Sequence, residues 1–258
     1  VCSSDLLPTV SLSNSPSLSV CVGTAVSLSS NVSGSAPFTY QWRNEFGDLG
    51  GATQAGLTVS TSGNYSVQIT DADGCQNTSA VSVVMVNPIP ASPQASVTQP
   101  TCANAYGTIT VTSTGVNTDT YSIDGTNYQS SNIFSNVPPG TYSVTIKSQA
   151  TCTSAAQSVV VNAQPNTPVS PVISLVQPTC NTAKGSITIT NTQVNLAYSI
   201  DGLNYQSGAV FANLSPGTYQ VTIRNSQGCI SSATVGVILP QPLAPAQPGI
   251  ITGSTSIA

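Results

Sequence analysis

An all-β chain, built as a linear array of β-sandwich domains, is what this sequence predicts, and three observations predict it. One spacing recurs three times. Gly63-Asn64-Tyr65-Ser66-Val67-Gln68-Ile69 precedes Cys75, Gly140-Thr141-Tyr142-Ser143-Val144-Thr145-Ile146 precedes Cys152, and Gly217-Thr218-Tyr219-Gln220-Val221-Thr222-Ile223 precedes Cys229, with the glycine twelve positions before the cysteine each time. Apolar residues alternate with Ser and Thr at period two, and no stretch carries the 3.6 period of a helix. Proline-rich segments separate the copies. Repetition of one supersecondary unit marks an array, an architecture suited to reach rather than to chemistry.

Composition narrows the role. The 258 residues include four Lys and Arg, eight Asp and Glu and no His, so only 5% are charged. A soluble chain ordinarily carries about 25% charge, so Ser, Thr, Asn and Gln must keep this one in water. Hydrophobics at 39% argue against disorder. Arg43, Lys147, Lys184 and Arg224 stand singly and cannot neutralise a phosphate backbone, which excludes nucleic acid. No apolar run reaches the 18 residues of a membrane span, so no membrane insertion is expected. Seven cysteines, with no CxxC pair and no His, argue for disulfides rather than zinc. They place the chain in an oxidising compartment, extracellular or at the cell surface. No signal peptide stands at the N-terminus, so the expectation is a mature or internal segment.

Taken in order, residues 1–6 read as the end of a preceding domain, because Val1-Cys2-Ser3-Ser4 resembles Gly228-Cys229-Ile230-Ser231-Ser232. Residues 7–88 form the first full domain. Ala25 to Ser29, Phe38 to Trp42, Tyr65 to Ile69 and Val81 to Val86 are its strands. The order Cys21, Trp42, Tyr65 resembles the immunoglobulin-like sandwich, in which a tryptophan fills the core and a tyrosine opens a late strand. One departure stands out: Cys75 lies ten residues after Tyr65 rather than two, beyond the turn Asp71-Ala72-Asp73-Gly74. Pro88-Ile89-Pro90-Ala91-Ser92-Pro93 is a stiff linker.

Residues 89–165 and 166–241 match each other. Gln99-Pro100-Thr101-Cys102 corresponds to Gln177-Pro178-Thr179-Cys180, and Tyr121-Ser122-Ile123-Asp124-Gly125 to Tyr198-Ser199-Ile200-Asp201-Gly202. Pro139-Gly140-Thr141-Tyr142 corresponds to Pro216-Gly217-Thr218-Tyr219. Asp-Gly between alternating strands signals a tight hairpin. A second linker runs from Pro165 to Pro171. Residues 242–258 read as a linker and the first strand of a following domain, with Pro248 to Ala258 able to add a strand to an adjacent copy.

This pair resembles the SprB-type repeat of large Bacteroidota cell-surface proteins, a group that includes gliding-motility adhesins. The likeness rests on the P-T-C start, the Y-S-I-D-G hairpin and the P-G-T-Y-x-V-T-I strand, over about Ala95 to Gln241. The first domain is similar to the Ig-like modules that accompany such repeats. The resemblance implies type IX secretion and a place on a long extracellular stalk, and names no ligand.

Catalytic parts are missing. Glu45 and Asp48 sit together in a loop after the Trp42 strand, where a solvated turn is favoured over an acid–base pair, and no nucleophile motif occurs. Asp71-Ala72-Asp73-Gly74 lacks the further ligands of a calcium loop and is read as a turn. No catalytic, cofactor-binding or metal residues are assigned, and no cofactor is expected. Trp42, Tyr65, Tyr142 and Tyr219 are expected in the cores or at strand corners. Tyr121, Tyr128, Tyr198 and Tyr205 flank the hairpins, where greater exposure is expected; packing is favoured there over stacking on sugars.

One bridge per domain would pair Cys21 with Cys75, Cys102 with Cys152 and Cys180 with Cys229, leaving Cys2 unpaired or intermolecular. Geometry offers a second set. The early cysteine lies near one end of a sandwich and the late one beyond a turn at the other, about 26 Å away along an eight-residue strand, whereas a bridge allows only about 7 Å between Cα atoms. A ladder of Cys21–Cys152 and Cys102–Cys229 would leave Cys2, Cys75 and Cys180 to neighbouring domains. The self-contained set is the expectation, because repeats normally stand alone. In function the sequence points to a non-enzymatic segment of an extracellular filament or adhesin stalk. Its partners would be further copies, head-to-tail or lateral, or neighbouring domains of one long chain. A glycan-binding adhesion module, or an accessory region of a larger secreted enzyme, is the alternative.

Overall fold

Residues 7–113 and 119–243, which the computed structural model of the chain describes, form strands joined by turns, with no helix among them. The expectations for residues 1–6 and 244–258, including Cys2 and the added terminal strand, lie outside the described residues. Two compact units are present. One runs to Gln99 and resumes over Tyr106–Asn162; the other takes Pro100–Ala105 and the chain from Ala163 onward.

The first sandwich has nine strands: β1 (Thr9–Ser15), β2 (Ser19–Cys21), β3 (Val26–Ser33), β4 (Thr39–Asn44), β5 (Gly47–Asp48), β6 (Gly56–Val59), β7 (Gly63–Thr70), β8 (Gln76–Thr78) and β9 (Ser82–Asn87). One sheet runs β1-β3-β6 and the other β2-β9-β7-β4-β5, with β8 also against β7. All pairs are antiparallel except β2 with β9. This is an Ig-like sandwich, and its period-two pattern explains it. Val26 and Leu28 point inward while Ser27 and Ser29 face water, and Tyr65, Val67 and Ile69 do the same from the facing sheet. Trp42 is fully buried opposite Val67 in the ladder, and its indole N–H donates to the carbonyl of Gln54 at 2.9 Å. Each fully buried Val, Leu or Ile contributes about 1.5–3 kcal/mol, so this shared core is what holds the two sheets together.

The second core gathers Ile109, Val111, Val137, Val144, Ile146, Val159 and Val161. Its strands are β10 (Ala95–Thr98), β11 (Gly107–Val111), β12 (Thr120–Ser122), β13 (Ile133–Val137), β14 (Gly140–Lys147) and β15 (Gln157–Val161). They form the sheets β10-β11-β13 and β12-β14-β15. The third repeats the plan with β16 (Ile173–Val176), β17 (Gly185–Ile189), β18 (Leu196–Ser199), β19 (Val210–Leu214), β20 (Gly217–Asn225) and β21 (Thr234–Ile238), as β16-β17-β19 and β18-β20-β21. Its core is Ile187, Ile189, Tyr198, Val221, Ile223 and Ile238. In both, the ladder slips by a bulge after a glycine, Gly107 or Gly185. A Cβ there would stand 2.8 Å from Val161 or 2.6 Å from the carbonyl of Val176, so only glycine lets the chains approach.

Tyr65, Tyr142 and Tyr219 each tie a corner. Their hydroxyls donate to the carbonyls of Thr61, Pro138 and Ser215, four residues upstream in every case, at 3.2, 2.8 and 2.8 Å. Such a bond pins the entry to the long strand that carries the repeated motif.

Candidate functional site

The cysteines and the turns that present them are the most conspicuous chemistry in the chain. After each long strand the same turn follows. Asp71, Ser148 and Asn225 open it, and their side-chain oxygens accept the backbone N–H of Cys75, Cys152 and Cys229 at 2.8, 3.2 and 2.9 Å. Each cysteine carbonyl in turn accepts the N–H of the opening residue. The residue before the cysteine has positive φ, being Gly74, Thr151 and Gly228. Asp71 Oδ1 also accepts from Asp73 N, so this carboxylate organises a turn, the local bonding for which Asp and Asn are suited. Cys75, Cys152 and Cys229 are thereby buried at one fixed place.

The other cysteines are presented differently. In the first sandwich β2 pairs in parallel with β9, which sets Cys21 opposite Asn87. In the later two a glutamine side chain replaces that strand. Gln99 donates from Nε2 to Val160 O at 2.9 Å and accepts Asn162 N on Oε1 at 2.8 Å. Gln177 repeats this with Val237 O and Leu239 N at 2.8 and 2.9 Å. A carboxamide has one donor end and one acceptor end, so it reproduces one rung of backbone pairing along an open edge. Beyond it the Pro-Thr-Cys loop closes by a Thr101–Asn104 bridge, or Thr179–Thr182. Gln164 Nε2 donates to the carbonyls of Thr101 and Cys102, and Gln241 Nε2 to those of Thr179 and Cys180. Sequence reasoning missed these four glutamines. Their signal was present, since Gln99 and Gln177 head the repeated Q-P-T-C and Gln164 and Gln241 recur 77 positions apart.

Cys21 bonds to Cys152 and Cys102 to Cys229, with Cα atoms 5.6 and 5.4 Å apart. The expected pairs Cys21–Cys75, Cys102–Cys152 and Cys180–Cys229 are therefore corrected to the ladder. The reason is spatial. Cys21 lies at the sheet end where β9 leaves for the linker, whereas Cys75 follows the turn that ends β7. Asn87 marks the meeting point: its carbonyl accepts Val22 N at 2.9 Å and lies 3.9 Å from Cys152 Sγ. Cys229 Sγ likewise lies 3.8 Å from Pro165 O. Cys75 is disulfide-bonded too. Cys180, expected in a bridge, is free and exposed.

The remaining candidate residues hold local structure. Glu45 Oε2 accepts Asn64 N at 2.9 Å, a bond that lowers its pKa, while Asp48 pairs with Arg43. The two carboxylates thus serve different partners. Asp124 and Asp201 close their hairpins, accepting from the Asn127 and Asn204 amides, from two backbone N–H groups each, and from Ser122 and Ser199. These donors hold both carboxyls well below the usual range, the asparagine side chains most. Tyr121 and Tyr198 are buried, in line with the packing favoured for them, although their place beside the hairpins suggested more exposure. Tyr128 and Tyr205 share hydroxyl bonds with Thr145 and Thr222 at 3.0 and 3.1 Å and lie beneath Lys147 and Arg224, 3.7 and 4.1 Å from the ring centres. An open groove of about 370 Å³ in the second unit is lined by Asn195, Arg224, Asn225 and Ser226 and by no carboxylate.

No family model and no curated protein matches the sequence. Among solved structures, the chain is similar to the titin I-band fragment I67–I69 (15% identity, TM-score 0.41, covering 92% of this chain and 97% of that one). It is also similar to the FN1–FN3 domains of chicken CNTN1 (14%, 0.32, 90% and 99%). A third is from a 1.5-MDa bacterial ice-binding adhesin (13%, 0.35, 92% and 98%). At these identities the likeness is one of fold.

Proposed function

We propose that this chain is a non-enzymatic, load-bearing segment of an extracellular stalk, adhesin or filament, built from three sandwich repeats over residues 7–88, 89–165 and 166–241. The observation that carries the reading is the ladder. Each of its two bridges ties one repeat to the next rather than closing a repeat on itself. A disulfide that merely stabilises a small domain belongs within it; one that spans repeats resists their separation. The surroundings agree with a passive role. Asp71, Asp124 and Asp201 hold turns, and among the described tyrosines Tyr106 alone is exposed, so they lay out no row of exposed rings on which a sugar would stack. The SprB-type resemblance, with type IX export to the cell surface, fits the same reading.

Negative-stain imaging of the native material is the test. Strands or surface projections in which these repeats run in line are expected. Isolated globular particles that turn over a polysaccharide or peptide, with activity lost on changing Glu45 or Asp48, would overturn the proposal.

A further inference from the structure

Cys180 has no partner in the structure, yet both cysteines placed like it do. Cys21 ends the β2 strand and bonds to Cys152; Cys102 follows the Gln99 rung and bonds to Cys229. Cys180 follows the Gln177 rung, in a loop held by the same Thr–Thr or Thr–Asn bridge and the same pair of glutamine bonds. The chain therefore builds this presenting loop a further time and leaves its thiol in water. The partner's chemistry is defined by the two bridges already made. In each it is a cysteine placed immediately after a positive-φ residue, its N–H bound by the side chain that opens the turn, at the end of a long strand. Cysteines of that kind in this chain, Cys75, Cys152 and Cys229, are all engaged, so a second identical copy has none to offer.

We infer that Cys180 is the acceptor for a further rung of the ladder, bonding to the post-turn cysteine of another β-sandwich repeat seated next to the third. This deepens the array reading by naming the partner of one site, and it fails separately from it, since thiol counts and images are independent. An unpaired cysteine in a secreted chain is otherwise a reactive liability. Formation of the rung oxidises two thiols. A small disulfide such as oxidised glutathione takes up the two electrons. The Cys180 thiolate attacks its S–S bond and expels one glutathione thiolate. The partner thiolate then displaces the second from the mixed disulfide, and the two protons pass to the released thiols.

The test extends the full chain by a second copy of residues 163–243 and refolds it with oxidised and reduced glutathione. Free thiols are then titrated under denaturing conditions. The expected result is the same free-thiol count as the parent chain, because Cys180 closes on the added Cys229 and the added Cys180 becomes the open one. Cys180→Ser in the original repeat should raise that count by one, and peptide mapping should find the Cys180–Cys229 pair. A count two above the parent, or one that falls on Cys180→Ser because the added copy has closed on itself, overturns the inference. A parallel extension by residues 89–165, with Cys152 as the post-turn cysteine, reads out the same way if the first fails to fold.

Discussion

Gln99 and Val160 are joined by a side-chain amide that imitates a strand: Nε2 donates to the Val160 carbonyl at 2.9 Å while Oε1 accepts from Asn162 N two residues on. The first sandwich uses a backbone segment, Ser19–Cys21, for the same purpose. Gln99→Leu should therefore release the edge of β15 and loosen the loop that carries Cys102. A net loss of about 1 kcal/mol is expected for one exposed bonding pair. Hydrogen exchange at the Asn162 amide should quicken well before that at Val144; unchanged protection would show that the rung is idle.

Thr151 occupies the positive-φ position that Gly74 and Gly228 fill in the other two turns, with φ of 65°. A β-branched side chain is strained there by about 1–2 kcal/mol. Thr151→Gly should raise the stability of the second sandwich by about 1 kcal/mol in denaturant titration, less whatever flexibility the glycine adds to the unfolded chain. A fall in midpoint would mean that Thr151 holds something the turn needs.

Trp42→Ala should cost about 3–5 kcal/mol, as a large side chain deleted from a closed core. The native protein should emit at short wavelength and resist quenching by iodide. Ready quenching would place the indole in water and contradict its burial.

Asp124 and Asp201 titrate below the ordinary carboxylate range because the ionised forms accept several hydrogen bonds, those from Asn127 and Asn204 foremost. A depressed folded pKa means that the stabilisation is full above the unfolded value of about 3.9 and is lost as pH falls through the folded one. Carboxyl carbon shifts followed by NMR should show both groups still ionised at about pH 3, below that unfolded value. Asn127→Ala should raise the midpoint of Asp124 and leave Asp201 in place.

Pulling on the oxidised chain should be stopped short. From Leu7 a covalent route to Leu243 crosses Cys21–Cys152, runs back to Cys102 and crosses to Cys229, using about 78 residues where the backbone alone uses about 236. At about 3.3–3.6 Å per residue, the limit is at most roughly 260–280 Å oxidised and roughly 780–850 Å after reduction. Equal contour lengths with and without reductant would refute the ladder.

Much of this was legible from residues alone, and the part that was not has a physical cause. Val26, Leu28, Val67 and Ile69 alternate with hydroxyl residues, so strand, face and core follow from a period of two. Trp42 had few other places to go. Partner choice among cysteines is another matter, because it depends on which end of a sandwich each occupies and what abuts that end. Strand length argues against Cys21–Cys75 and the self-contained nature of most repeats argues for it, and only the packing of one sandwich end on the next decides between them. Tyr121 and Tyr198 flank hairpins, where side chains are often wet, yet they point inward beside Ile109 and Ile187 in their cores, as the favoured packing reading has it. Thr145 and Thr222 break the alternation by being buried, and only the hydroxyls of Tyr128 and Tyr205 explain them.

The two bridges also interleave, since Cys102 lies inside the loop that Cys21 and Cys152 close, and Cys152 inside the one closed by Cys102 and Cys229. Any single peptide bond broken between Cys21 and Cys229 is then spanned by at least one disulfide. A protease that nicks either proline-rich linker, or any loop between those two cysteines, leaves one molecule rather than two. Such a segment keeps its covalent continuity through a first cut anywhere in that span.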